Sequence, residues 1–201
     1  MKKIIGTCLL LVLVSAGYAQ KMKVLSGDFD FLKGQEQVKV TMDFSEATFY
    51  NENLSEDAYI ERRTKELDED KPGEGAAWQK DWASFRDERF LDKFATIATE
   101  ASKKANLKFS KDADAPYTLI VKVTWIYPGW FGGVMKQPAK VSTLLNFVET
   151  ADPSNVVLSI QSEKALGDIA FVGIPNTNDR IAEGFAKAGK SLAQLIDKRS
   201  K

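Results

Sequence analysis

The chain of 201 residues contains no histidine, and its single cysteine, Cys8, lies inside an apolar N-terminal run. Beyond that run there is neither imidazole nor thiol. This excludes Ser-His-Asp and Cys-His nucleophilic sites, zinc sites built from nitrogen and sulfur ligands, and disulfides. Charge of one sign is also missing. Lys and Arg together number 28, as do Asp and Glu. Without Lys2 and Lys3, 26 basic residues face 28 acidic ones, a net charge of −2 that gives no global attraction to nucleic acid or anionic lipid. After the N-terminal run no apolar stretch reaches membrane-spanning length. Carboxylates, Lys, Arg, Tyr and hydroxyls are what remains for chemistry. With 44% hydrophobic and 28% charged residues, the composition is that of a folded, water-soluble domain.

Lys2 and Lys3 precede the apolar run Ile4 to Val14, and small residues close with Gly17, Tyr18 and Ala19 before Gln20. A charged start, a short apolar centre and small residues at −3 and −1 read as a secretory signal, residues 1–19, cleaved after Ala19. No cysteine follows the run, so a lipid anchor of the lipoprotein type is not expected. The location is periplasmic or secreted, and residues 20–201 form one α+β domain.

All six prolines fall between periodic segments and punctuate the elements. Val38, Val40, Met42 and Phe44 alternate with polar residues as a half-buried strand. Asn53 with Glu56 is expected to cap a helix reaching about Leu67, which the segment Asp68 to Gly75 breaks. Ala76 to Ala105 reads as one long helix presenting Trp78, Trp82, Phe85, Phe90, Phe94, Ile97 and Ala101, with Asn106 ending it. Leu107 to Phe109 is a short strand. In Tyr117 to Tyr127, the residues Tyr117, Leu119, Val121, Val123, Trp125 and Tyr127 share one face. Val141 to Val148 and Val156 to Lys164 form a hairpin about a turn at Asp152 to Asn155. Asn178 begins a last helix with Ile181, Phe185, Ala188, Leu192 and Leu195 or Ile196 in a stripe. The expected fold is α+β: a mainly antiparallel sheet of four to five strands, with the long central helix and the C-terminal helix packed on one face. Ile120, Leu144 and Val148 fall on the second face, which the helix near Asn53 or a partner would cover.

Gly184 to Ser191 satisfies the phosphate-loop pattern letter for letter. The context contradicts it, because the apolar stripe runs through the string from Ile181 to Leu195 and its N–H groups are used inside a helix. No nucleotide is expected, and the small residues permit close helix packing. Asp68, Asp70 and Gly73 lack two further ligands of a calcium loop, including the bidentate Glu. The pairs Asp28 with Asp30 and Asp112 with Asp114 have the spacing of surface turns. No metal, cofactor or catalytic residue is assigned.

Pro128, Gly129, Trp130, Phe131, Gly132, Gly133, Val134 and Met135 follow the long strand. The proline and glycines stop it and place Trp130 and Phe131 in a loop, where large aromatics either cap the core or contact a partner. Pro128, Gly129, Trp130, Phe131, Gly132, Gly133 and Met135 are the candidate binding residues. Trp125 and Tyr127 are assigned to the core.

Phe31 to Gln35, Glu56 to Ile60, Lys71 to Gly75 before Trp78, Tyr117 to Lys122, Pro128 with Gly129, Gly133 to Met135 and Ala186 to Lys190 together resemble a family of uncharacterised exported proteins of Gram-negative gut anaerobes. The order of elements also resembles small periplasmic α/β domains of outer-membrane lipoproteins that activate cell-wall synthases or assemble secretion pores. The family resemblance implies export and little about activity. The function expected is a non-enzymatic domain that binds an envelope protein or a glycan, or assists envelope assembly. The alternative is a carboxylate-based hydrolase acting on a glycan, which needs two facing acids about 5 to 10 Å apart, one of them shielded from water.

Overall fold

Alternation in period two and stripes in period 3.6 meet at one core, with every helix stripe turned toward the same face of a sheet. The structure, a computed structural model, describes residues 21–132, 135–167 and 176–200, with the backbone path alone for 131, 132, 135 and 136. The signal segment 1–19 and its cleavage point lie outside the described residues. In chain order the elements are β1 (Lys21–Gly27), β2 (Gln37–Asp43), β3 (Thr48–Phe49), α1 (Glu56–Asp70), α2 (Glu74–Ser84), a π turn (Phe85–Arg89), α3 (Phe90–Ala101), β4 (Lys108–Ser110), β5 (Tyr117–Tyr127), β6 (Trp130–Gly132), β7 (Met135–Gln137), β8 (Lys140–Glu149), β9 (Asp152–Leu166) and α4 (Thr177–Arg199).

The α+β class is as expected, but the sheet differs. It has seven strands in the order β1-β9-β8-β5-β2-β4, with β3 beside β5, and it is mixed. β2 runs parallel to both β4 and β5, and β3 runs parallel to β5. The cause is the helical stretch between β2 and β5. A crossover of that length returns the chain in the same direction, whereas the short links from β5 to β8 and β8 to β9 reverse it. β1 and β3 account for the additional strands, β4 being the short strand expected at Leu107 to Phe109.

Val38, Val40, Leu119, Val121, Leu145, Phe147 and Ile160 are fully buried and meet Phe90 and Phe94 of α3 and Ile181, Phe185 and Leu192 of α4. α4 begins where the Asn176 side chain accepts from the N–H groups of Asn178 and Asp179, two residues before the start read from the sequence. Ser55, not Asn53, caps α1, its hydroxyl accepting from Ala58 N at 3.3 Å. Asn53 instead takes the left-handed conformation in the preceding turn.

The long helix stops at Ala101, four residues short of the expected end. The Asp197 carboxylate of α4 accepts from the backbone N–H of Lys103, Lys104 and Ala105 at 2.9 to 3.1 Å and holds the chain in a turn there. Glu149 pairs with Asp152, so the β8–β9 turn lies at Thr150 and Ala151. The residues Asp152 to Asn155 already belong to β9, with Asp152 accepting from Ser154 N and Oγ. On the second face, Ile120 and Leu144 are half-buried and Val148 is buried. α1 does not lie there, because its Tyr59 stacks on Phe49 at 4.4 Å within the helical core. Among the described residues no helix is long and apolar enough to cross a membrane.

Candidate binding site

The aromatic segment after β5 is a ribbon, not a loop. β6 and β7 pair antiparallel as Trp130 with Gln137, Phe131 with Lys136 and Gly132 with Met135. The offset is that of Trp125 with Ser142 and Tyr127 with Lys140, so the ribbon continues the β5–β8 ladder in register. Pro128 and Pro138, which cannot donate to a ladder, mark the interruption. Pro128 is buried. Gly129 has a φ of +71°, and a Cβ there would lie 2.5 Å from the Gln137 carbonyl oxygen, so only glycine fits the crossing. Trp130 is 41% exposed. Gly133 lies outside the described residues.

Trp125 and Tyr127 are not core residues, contrary to their alternation with Val121 and Val123. Between Val123, which pairs with Thr143, and Trp125, which pairs with Ser142, β5 contains the extra residue Thr124. A bulge of one residue moves everything after it to the other face. Ile126 therefore takes the buried position, and Trp125 and Tyr127 stand half-exposed on the opposite side. Thr124 is secured on both sides: its hydroxyl donates to Ser142 O at 3.0 Å, and its carbonyl accepts from Thr48 Oγ1 at 3.1 Å. A second bulge lies across the sheet at Lys164, with a φ of +50°, whose N–H donates to Ser142 Oγ at 3.1 Å.

The two bulges create a row. The Trp125 and Tyr127 rings are nearly parallel, 18° apart, with centroids at 6.0 Å. Tyr50 meets Tyr127 edge-on at 6.1 Å and 88°. Lys164 Nζ is 6.0 Å from the Trp125 ring, Lys140 Nζ is 5.6 Å from the Tyr127 ring, and the Arg62 guanidinium is 4.5 Å from the Tyr50 ring. Tyr50 itself is left-handed, with a φ of +58°. Its N–H donates to Ile126 O at 2.9 Å and its carbonyl accepts from Trp125 Nε1 at 2.7 Å. Such a conformation costs a bulky residue on the order of 1–3 kcal/mol, and residues held this way cluster at functional sites. Burial pushes the Tyr50 hydroxyl above its ordinary pKa. The hydrogen bond that Arg62 donates to Glu66 is the main cause of the raised Arg62 pKa, and Glu52 completes its ion pairs.

Among the described residues, the acids that line two open depressions are exposed or half-exposed, not shielded as a hydrolytic pair requires. An open depression of about 530 Å³ at Asp114 to Tyr117 and Glu149 to Ala151 holds Asp114, which is exposed, and Glu149, which is half-exposed. Another of about 520 Å³ holds Asp30 and Glu36, both exposed, the first paired with Lys33 at 2.8 Å. Asp43 is held below the usual carboxylate range by the Ser45 backbone N–H, the reverse of what a proton donor requires. Among the described residues no group of three or more acids could hold a metal. Asp68 instead accepts from the N–H groups of Gly73 and Gly75 at 3.0 and 2.9 Å and anchors the start of α2. The phosphate-loop string lies wholly within α4, with Gly184 and Gly189 buried.

The fold is thus an α+β domain whose solvent-side sheet end and ribbon carry an aromatic row. A scan of protein families matches none, and no curated protein matches. Among solved structures, the chain is similar to the PelC dodecamer from Paraburkholderia phytofirmans at 14% identity and a TM-score of 0.39, covering 88% of this chain and 98% of that one. A leucine-to-methionine variant of that dodecamer matches at 15% identity and the same score. A likeness at that TM-score carries no argument about function.

Tyr50, Trp125, Tyr127 and Lys164 escape the sequence reading. The alternation through Tyr127 is unbroken, and neither Thr124 nor Lys164 is a residue type that announces a bulge. The signal that was present is compositional: four of the chain's aromatics, Trp125, Tyr127, Trp130 and Phe131, fall within seven residues.

Proposed function

We propose that the protein is an exported, non-enzymatic binding module of the cell envelope or its exterior, and that the ribbon after β5 is its contact surface. The observation that supports this most directly is Trp130, which is 41% exposed at the neck of a ribbon built as a continuation of the sheet. An indole left in water at a defined position is a typical anchor for a partner. Export is supported by Lys2, Lys3, the run Ile4 to Val14 and the small residues at Gly17 and Ala19.

A photo-crosslinking residue placed at position 130 in cells tests both parts. The expected result is one discrete adduct from a chain whose amino terminus, read by mass spectrometry, begins at Gln20. An uncleaved chain overturns export, and the absence of any adduct overturns the contact surface.

A further inference from the structure

We propose that Trp125, Tyr127 and Tyr50 form a platform for an acidic polysaccharide, whose sugar rings lie along the aromatic row and whose carboxylates meet Lys164. This rests on the reading of the ribbon end as a binding surface and names its ligand class.

Tyr50 also packs edge-on against the buried Tyr59 at 5.7 Å, but folding alone gives no reason for Trp125 and Tyr127 to leave the core face. Regular pairing would bury Trp125 and Tyr127 beside Val121 and Val123, where their area would stabilise the core. Instead β5 carries an extra residue at Thr124 and β9 one at Lys164, and the bulges turn two rings and an ammonium to the same solvent side. Tyr50 is held left-handed by two hydrogen bonds from and to this part of β5, which sets its ring at a right angle to Tyr127 as an end wall. Bulges and left-handed residues concentrated at one place mark a surface shaped for something outside the fold.

The chemistry of the row selects the ligand. Its members are Trp and Tyr, rings with an apolar face and a polar tip, and their cross-strand partners are Ser142 and Lys140. A pyranose ring, with a C–H face for stacking and a hydroxyl edge for hydrogen bonds, fits both features. The near-parallel setting of Trp125 and Tyr127 suits an extended chain. Charge complementarity makes that chain acidic. Lys164 forms no ion pair among the described residues, and its neighbour Glu163 stands opposite Lys21 across the β1–β9 pair.

Affinity electrophoresis of the purified protein through gels containing polygalacturonate or neutral dextran tests this. The expected result is retardation by polygalacturonate only, weakened at least tenfold in Tyr127→Ala and in Lys164→Gln, each with unchanged circular dichroism. Lys164 is exposed, so Lys164→Gln remains informative should Tyr127→Ala unfold. Equal retardation by dextran overturns the acidic assignment. Binding to phosphatidylglycerol vesicles but not to polygalacturonate overturns the platform in favour of a lipid surface. Absence of retardation alongside a persisting crosslink from position 130 overturns the platform and leaves the contact surface standing. Absence of both removes the two together.

Discussion

Gly184 and Gly189 stand five residues apart in α4, and a methyl group added to each meets different surroundings. At Gly189 the new Cβ would lie 2.5 Å from the Phe94 carbonyl oxygen and 3.4 Å from Ala98 Cβ. That oxygen belongs to the backbone of α3 and cannot rotate away. At Gly184 the nearest atoms are the Val141 methyls at 3.1 Å and the Ala165 carbonyl oxygen at 3.3 Å, contacts that a shift of a few tenths relieves. Overpacking costs about 1–3 kcal/mol, and replacing a mid-helix glycine by alanine gains about 1 kcal/mol. With a backbone clash at the upper end of that range, Gly189→Ala is expected to lose about 2 kcal/mol, or about 4–8 °C in Tm. Gly184→Ala is expected within about 0.5 kcal/mol of the parent, the two effects cancelling. Urea unfolding followed by tryptophan fluorescence reads the difference, with Trp82 as a reporter buried beside Phe90. Equal stability of the two variants would refute the close-packing role of the phosphate-loop string.

Other substitutions probe polar side chains. The Tyr59 hydroxyl is buried without a hydrogen-bond partner among the described residues, so Tyr59→Phe is expected to hold or raise stability by up to about 1 kcal/mol in the same urea assay, and a clear loss would contradict that burial. Burial raises the Tyr59 pKa far above its ordinary value, so an alkaline absorbance titration is expected to leave one tyrosine protonated until the chain unfolds. Asp197→Ala removes the acceptor for three backbone N–H groups and is expected to cost about 1.5–3 kcal/mol, with faster amide exchange at Lys103 to Ala105. Asp43 has a depressed folded pKa, so its contribution is present above the unfolded carboxylate value and is lost as pH falls through the folded one. The stability gap between the parent and Asp43→Ala is therefore expected to narrow from pH 6 to pH 3, and a gap that widens would reverse the sign.

Periodicity reported the elements that follow one rule throughout. α4 and the aromatic stripe of the long helix were legible because each buries a face in register, and β2, β8 and most of β5 because their faces alternate. Tyr117 to Val123 obey the rule, and Trp125 and Tyr127 keep it in the sequence while breaking it in space. A bulge costs one ordinary residue and leaves no trace in the alternation, so the pattern assigns the half of the site on β5 to the core. The ribbon was read as a loop because Pro128 and Gly129 interrupt the ladder, yet the pairing resumes beyond them in the same offset. Parallel partners are set by where the helical crossover returns the chain, which is a long-range property. Ser55 and Asn53 are both good caps, and the left-handed turn that Asn53 enters decides between them.

The π turn between α2 and α3 has a consequence for descent. The buried aromatics step by three or four along the helix except between Phe85 and Phe90, where the step is five, and there the backbone closes one wider turn. A chain one residue shorter between Arg86 and Arg89 would carry Trp82, Phe85, Phe90 and Phe94 in unbroken helical phase. A lineage can gain or lose that residue without ever exposing the stripe, so chain length at this point is free to drift while the core stays the same.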